Sequence, residues 1–218
     1  MVSDRQLNTS CHTDPLTTRF RLLGILPLIF FLAQAVHYWQ IDQLGHLLWM
    51  CNVGNLLLAV GLFLDQPIMI RVAGIWSIPG LVVWWRYVFT EWFYYATLDW
   101  YAVTSGTLAH IGGLVVGLLS LRRLRVDRLA WLYAFAWYLA IQFISRLITP
   151  AELNVNLSYR VHESWQAPFN SYWKFWFVLT IVGAAVLWLT GWFLRKIWPC
   201  PSISEFQASQ SPVVSSLK

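Results

Sequence analysis

Residues 45–64 read GHLLWMCNVGNLLLAVGLFL. About twenty helical residues at ~1.5 Å each cross the ~30 Å hydrocarbon core of a bilayer, and this run contains no charged side chain. Its first half nevertheless carries His46, Cys51, Asn52 and Asn55, whereas its second half is Leu, Ala, Val, Gly and Phe. Groups that ionise or hydrogen-bond are costly in hydrocarbon. Where they occur they face a bundle interior or a wet cavity, and they mark a candidate functional site.

The rest of the chain agrees with a membrane reading. Only 11% of the 218 residues are charged, against roughly 25% in soluble domains, and mean hydropathy is +0.54. Fifteen Trp, nine Tyr and thirteen Phe suit helix ends set in aromatic interfacial belts. The expectation is an all-α polytopic bundle of six transmembrane helices, at about 20–39, 44–64, 68–89, 102–121, 129–147 and 172–194. Residues 20–194 then form one membrane domain between a polar tail at 1–19 and a Ser-rich tail at 195–218. Ala33-Gln34-Ala35 resembles a signal-peptide cleavage site. The long polar lead and the apolar residues beyond Ala35 favour a retained span instead. Pro79-Gly80 predicts a kink in the third span, and residues 90–101 predict an aromatic loop along the membrane surface.

Charge fixes the orientation. Eleven of the fifteen basic residues fall in the N-terminal tail, at the turn after the second span, in the loop holding Arg122, Arg123, Arg125 and Arg128, and after the sixth span. By the positive-inside rule that side and both termini are cytoplasmic, in a plasma (bacterial inner) membrane. The net charge of +5 is thereby explained by topology, and nucleic acid is not an expected partner. Three cysteines make no disulfide framework; Cys11 and Cys200 read as bystanders.

With orientation set, helical rise places Cys51 roughly 10–12 Å into the outer half, Asn55 near the midplane, and His110 at the depth of Cys51. Cys51 and Asn55 share a helix face and Asn52 borders it, whereas His46 points away. In the fourth span Gly106, His110, Gly113 and Gly117 form one stripe, where small residues admit a neighbouring backbone. Each has an ordinary reading. Buried Cys is commonly a small apolar residue, Asn can glue helices, and Arg146 beside Thr149-Pro150 can be a snorkelling helix end. Their gathering at one depth points to a site. Cys51 would be the nucleophile and His110 the base that removes its proton. Asn52 and Asn55, with Ser105 and Thr107, would give polar and oxyanion support. Arg86, Arg146, Asn154 and Asn156 would meet a substrate headgroup. That constellation describes acyl transfer or hydrolysis on a membrane lipid, with no metal or cofactor.

The Trp49-Met50-Cys51-Asn52 segment, His110 in a glycine-bearing later span and Asn154-Val155-Asn156 resemble the YwaF-like family of bacterial integral membrane proteins and its eukaryotic lipid acyltransferase relatives. The resemblance implies a catalytic membrane cysteine and a downstream histidine, here Cys51 and His110. Two other classes stay open: a non-catalytic carrier or partner subunit, and a haem- or metal-binding redox protein using His37, His46 or His110.

Overall fold

The computed structural model describes residues 15–90, 99–162 and 165–200. Both distal tails and most of the 90–101 loop lie outside them. The described chain is all-α. Six helices follow one another: α1 (Thr18–Gln40), α2 (Met50–Phe63), α3 (Pro67–Thr90), α4 (Trp100–Leu124), α5 (Ala130–Ile148) and α6 (Tyr172–Ile197). All but α2 are long and apolar enough to cross a membrane, which makes this a multi-pass integral membrane protein.

Local chemistry accounts for several boundaries. Pro67 opens α3, where its missing N–H costs nothing. Asp99 caps α4 by accepting from the Tyr101 N–H at 2.9 Å. Thr149-Pro150 stops α5. Helix α3 runs through Pro79 without a break, so the expected kink does not interrupt it.

The second span departs most from expectation. Residues Leu44–Leu48 form a 3₁₀ turn, and α2 starts only at Met50. Its fourteen residues are ~21 Å long. Cys51 therefore sits in the first helical turn rather than two turns in. The reason lies far along the chain: the Asn156 side chain bonds the Met50 N–H and the Leu48 carbonyl, holding the entry to α2 in a non-helical path.

Helix α3 is the hub, packed against α2, α4, α5 and α6. Close approach to α4 rests on Gly74 and Gly117. A Cβ at Gly117 would lie 3.3 Å from the Gly74 Cα, and Leu121 covers Gly74 so closely that no Cβ fits there. Leu58, Leu62, Ile70, Ile75 and Leu124 fill the surrounding core. Helix α6 packs on α5 and α3 and leaves Trp173, Phe177, Ile181 and Leu189 exposed, as a lipid-facing surface does.

The bundle has two chemically distinct ends. At one end Leu16 N donates to Asp65, Arg21 donates to the Phe63 carbonyl, and Val126 N donates to the Trp198 carbonyl. Arg71 anchors the α4–α5 loop to α3. It is only 4% exposed, yet it donates to Asp127 Oδ2 at 2.6 Å and to the carbonyls of Arg125 and Leu124. The described starts and ends of the bundle meet there, among the basic residues. Cys200, read from sequence as a bystander, is disulfide-bonded at this end. The opposite end gathers the 44–49 turn, the start of α4 and the 151–158 loop.

Breaking a buried, hydrogen-bonded ion pair strands a charge and typically costs 3–5 kcal/mol, while an apolar replacement of both partners is tolerated. Arg71→Met is expected to lower unfolding stability in detergent by about that amount. The double variant Arg71→Met/Asp127→Leu is expected to recover most of it, as thermal unfolding monitored by circular dichroism will read.

Candidate functional site

The 44–49 turn and the first turn of α2 are built on amide side chains. Asn52 Nδ2 donates to the His46 carbonyl at 3.0 Å, and the Asn52 and Val53 N–H groups take the Trp49 carbonyl. Asn156 completes the cap from outside: Oδ1 accepts from Met50 N at 3.2 Å, and Nδ2 donates to Leu48 O and Ser145 Oγ at 2.7 and 2.9 Å. The first turn of a helix leaves N–H groups without intrahelical partners. Here the Asn52 and Val53 N–H groups turn back to the Trp49 carbonyl and Asn156 takes the Met50 N–H, which leaves the Cys51 N–H as the free donor of that turn among the described residues.

Across from this turn, α4 changes pitch. Leu108–Gly112 forms a π-type turn, a feature frequent at functional sites, and His110 is at its centre. His110 Nδ1 lies 2.7 Å from the Gly106 carbonyl. A carbonyl can only accept, so Nδ1 carries the proton and Nε2 presents its lone pair. The imidazole stacks on Trp84, with centroids 4.8 Å apart and planes 10° from parallel. Trp84 reaches over α4 because residue 106 is glycine; a Cβ there would fall 2.3 Å from the indole Cη2. Trp84 Nε1 is in turn held by Thr107 Oγ1 at 3.3 Å.

Cys51 and His110 line one cavity of about 20 Å³, room for a single water. Asn55, Trp76, Ser77 and Gly80 complete much of its wall. No direct hydrogen bond joins the thiol to the imidazole. In unliganded sites such contacts are often long and tighten only with substrate. Asn55 is 5% exposed, and its Nδ2 donates to Cys51 O and Ala109 O at 2.9 and 3.1 Å. Two carbonyls at one end of the amide fix its orientation. Asn55 Oδ1 is left buried without a partner, close to Gly113.

This geometry corrects several expected roles. The N–H donors of Asn55 are committed to carbonyls, and Asn52 Nδ2 is committed to His46 O, so neither amide supplies the oxyanion support expected of it. Ser105 joins α4 to α1, accepting from Gln34 Nε2 at 2.9 Å and donating to Tyr101 O at 2.7 Å, and Thr107 serves Trp84; neither lines the cavity. Asn154 spends its oxygen on the Tyr159 and Arg160 N–H groups and its nitrogen on Arg160 O. Asn154 and Asn156 are thus loop staples rather than headgroup ligands. Arg86 is exposed. Arg146 donates to Ser158 O, and its guanidinium lies 5.2–5.5 Å from the ring centres of Tyr159, Tyr172 and Trp173.

The histidines do not assemble around one centre. His37 and His46 pack on either side of Tyr38 at 5.3 and 5.2 Å, and His37 faces Asp99 at 3.8 Å, whereas His110 stacks on Trp84. Among the described residues no group of three His, Cys, Asp or Glu side chains is arranged to hold a metal ion. Sequence reasoning missed Trp76, Ser77 and Gly80, although Pro79-Gly80 and the nearby serine were visible signs of an opening in α3.

Compared with known proteins, the chain matches no family model, no curated protein and no solved structure.

His46 lies in the turn outside the helices, and burial holds its imidazole below the ordinary value of 6.5. The unfolded chain then takes up a proton first as pH falls. The His46 contribution to stability is complete above that value and is lost as pH drops through it towards the lower folded value. The unfolding temperature is expected to fall between about pH 7.5 and about pH 5.5. His46→Gln is expected to flatten that slope in the same thermal scans.

Proposed function

We propose that this integral membrane protein is a lipid acyltransferase or hydrolase in which Cys51 is the nucleophile and His110 the general base. The observation that carries the reading is the shared cavity: the thiol and an imidazole whose Nε2 lone pair is unspent open into the same small space. The Gly106 carbonyl orients the imidazole, the part a third group plays in nucleophile–base–orienter sets.

In the first half-reaction His110 Nε2 takes the Cys51 proton and sulfur attacks the ester carbonyl of a membrane lipid. The S–C bond forms, the ester C–O bond breaks, and the imidazolium returns its proton to the leaving alkoxide. In the second, water or a lysolipid hydroxyl gives its proton to His110 and attacks the thioester; the C–S bond breaks, and the imidazolium returns the proton to the Cys51 sulfur. The backbone N–H of Cys51, at the positive end of α2, meets the negative charge on sulfur and on the tetrahedral oxygen. Arg146, held among aromatic rings at the opposite end from the basic loops, is suited to the lipid phosphate. The likeness of Trp49-Met50-Cys51-Asn52 and His110 to the YwaF-like family and its acyltransferase relatives points the same way.

Reconstituted protein supplied with a phospholipid bearing a labelled acyl chain tests the proposal. The expected result is release or transfer of the label, together with a hydroxylamine-sensitive acyl adduct on Cys51. Cys51→Ala is expected to abolish both, and His110→Gln to slow turnover by about 10²–10⁴-fold. Wild-type turnover by Cys51→Ala would exclude the mechanism. Folded protein that turns over no ester would instead favour a carrier.

A further inference from the structure

A second niche opens at the basic end, far along the chain from the thiol cavity. It lies between the start of α5 and the last turns of α6, has a volume of about 30 Å³, and is lined by Asp127, Arg128, Trp131, Trp188, Trp192 and Arg195. Helices α5 and α6 touch beside it, where a Cβ on Gly191 would come 2.9 Å from the Trp131 Cβ.

The charges in the niche do not cancel one another. Asp127 is already engaged: Oδ2 pairs with Arg71 at 2.6 Å and Oδ1 accepts the Leu129 N–H at 2.9 Å. Among the described residues Arg128 and Arg195 have no acidic partner. Lys196 adds a third cation nearby, its ammonium 5.8 Å from the Trp192 ring centre. The walls are indoles, and those of Trp188 and Trp192 are exposed on the outward side of α6, the side open to acyl chains. Two unspent guanidiniums between amphipathic rings at the end of a span ask for a ligand that is anionic at one point and apolar beside it. Basic pockets between helices on the cytoplasmic side hold such headgroups. A free phosphate would satisfy the arginines but leave the indoles with nothing to pack on.

We propose that this niche binds an anionic glycerophospholipid of the leaflet at the basic end, with Arg128 and Arg195 on its phosphate and Trp131, Trp188 and Trp192 beside its glycerol and first acyl carbons. Arginine presents a planar fork of donors that matches phosphate oxygens, and indoles settle at the headgroup level. The site is independent of Cys51 and His110, so it stands or falls separately from the proposed chemistry.

Native mass spectrometry of the full chain released from detergent, with phosphatidylglycerol or phosphatidylcholine added, provides the test. The wild type is expected to retain one phosphatidylglycerol more than R128Q/R195Q, whose affinity for that lipid is expected to be about thirtyfold weaker. Phosphatidylcholine is expected to bind both proteins equally. R122Q/R123Q removes the same charge from the neighbouring basic loop outside the niche and is expected to bind like the wild type. R128Q alone, at an exposed position, is expected to show part of the loss and serves if the double variant does not fold. Equal retention by wild type and R128Q/R195Q, an equal loss in R122Q/R123Q, or displacement of the lipid by glycerol phosphate at comparable concentration would overturn the proposal.

Discussion

Inside a bilayer a polar group must find its partner within the protein, because hydrocarbon offers none. Asn156 is where that constraint shapes this molecule most. Its amide answers the Met50 N–H, the Leu48 carbonyl and Ser145, and its own carbonyl accepts from Gln142 Nε2 at 3.2 Å. One side chain thus fixes where α2 begins, docks the 151–158 loop against it, and ties both to α5. The position is strained, with φ at 53°, in a region that Asn tolerates better than most residues. Because α2 starts at Met50, Cys51 stands in the first turn, at the positive end of the helix. The location of the candidate nucleophile is therefore a consequence of a hydrogen bond made 106 residues away.

At the other end Arg71 does the corresponding work, fastening α3 to the α4–α5 loop through one guanidinium. Between these two anchors the middle of the bundle is apolar and closely packed, with Gly74 and Gly117 bringing α3 and α4 almost into backbone contact. The two cavities described lie where regular helix packing is interrupted. The thiol cavity lies where the π-type turn of α4 meets Gly80 of α3, and the arginine niche lies where α5 and α6 part beyond Gly191.

Much of this was legible in the chain. Long apolar runs and the placement of arginines gave the helices and the two-ended arrangement, since hydrophobic length and charge asymmetry are local properties of sequence. The stripe of Gly106, His110, Gly113 and Gly117 read correctly as a contact surface, because helical spacing alone puts those residues on one face. The start of α2 did not show. Its cap comes from Asn156, and no Ser, Thr or Asp precedes Met50 to announce it. The amide roles were equally hidden: Asn55 resembles an oxyanion donor until Ala109 O and Cys51 O are seen to occupy both of its hydrogens. Whether an amide donates to a ligand or to the backbone is decided by what packs opposite, and spacing carries no record of that.

The brevity of α2 has a consequence for the host membrane. A rod of ~21 Å is shorter than a ~30 Å slab, yet nine of its fourteen residues are buried by neighbouring protein. Acyl chains then meet chiefly the five longer helices, and a short span sheathed in protein puts little demand of its own on bilayer thickness.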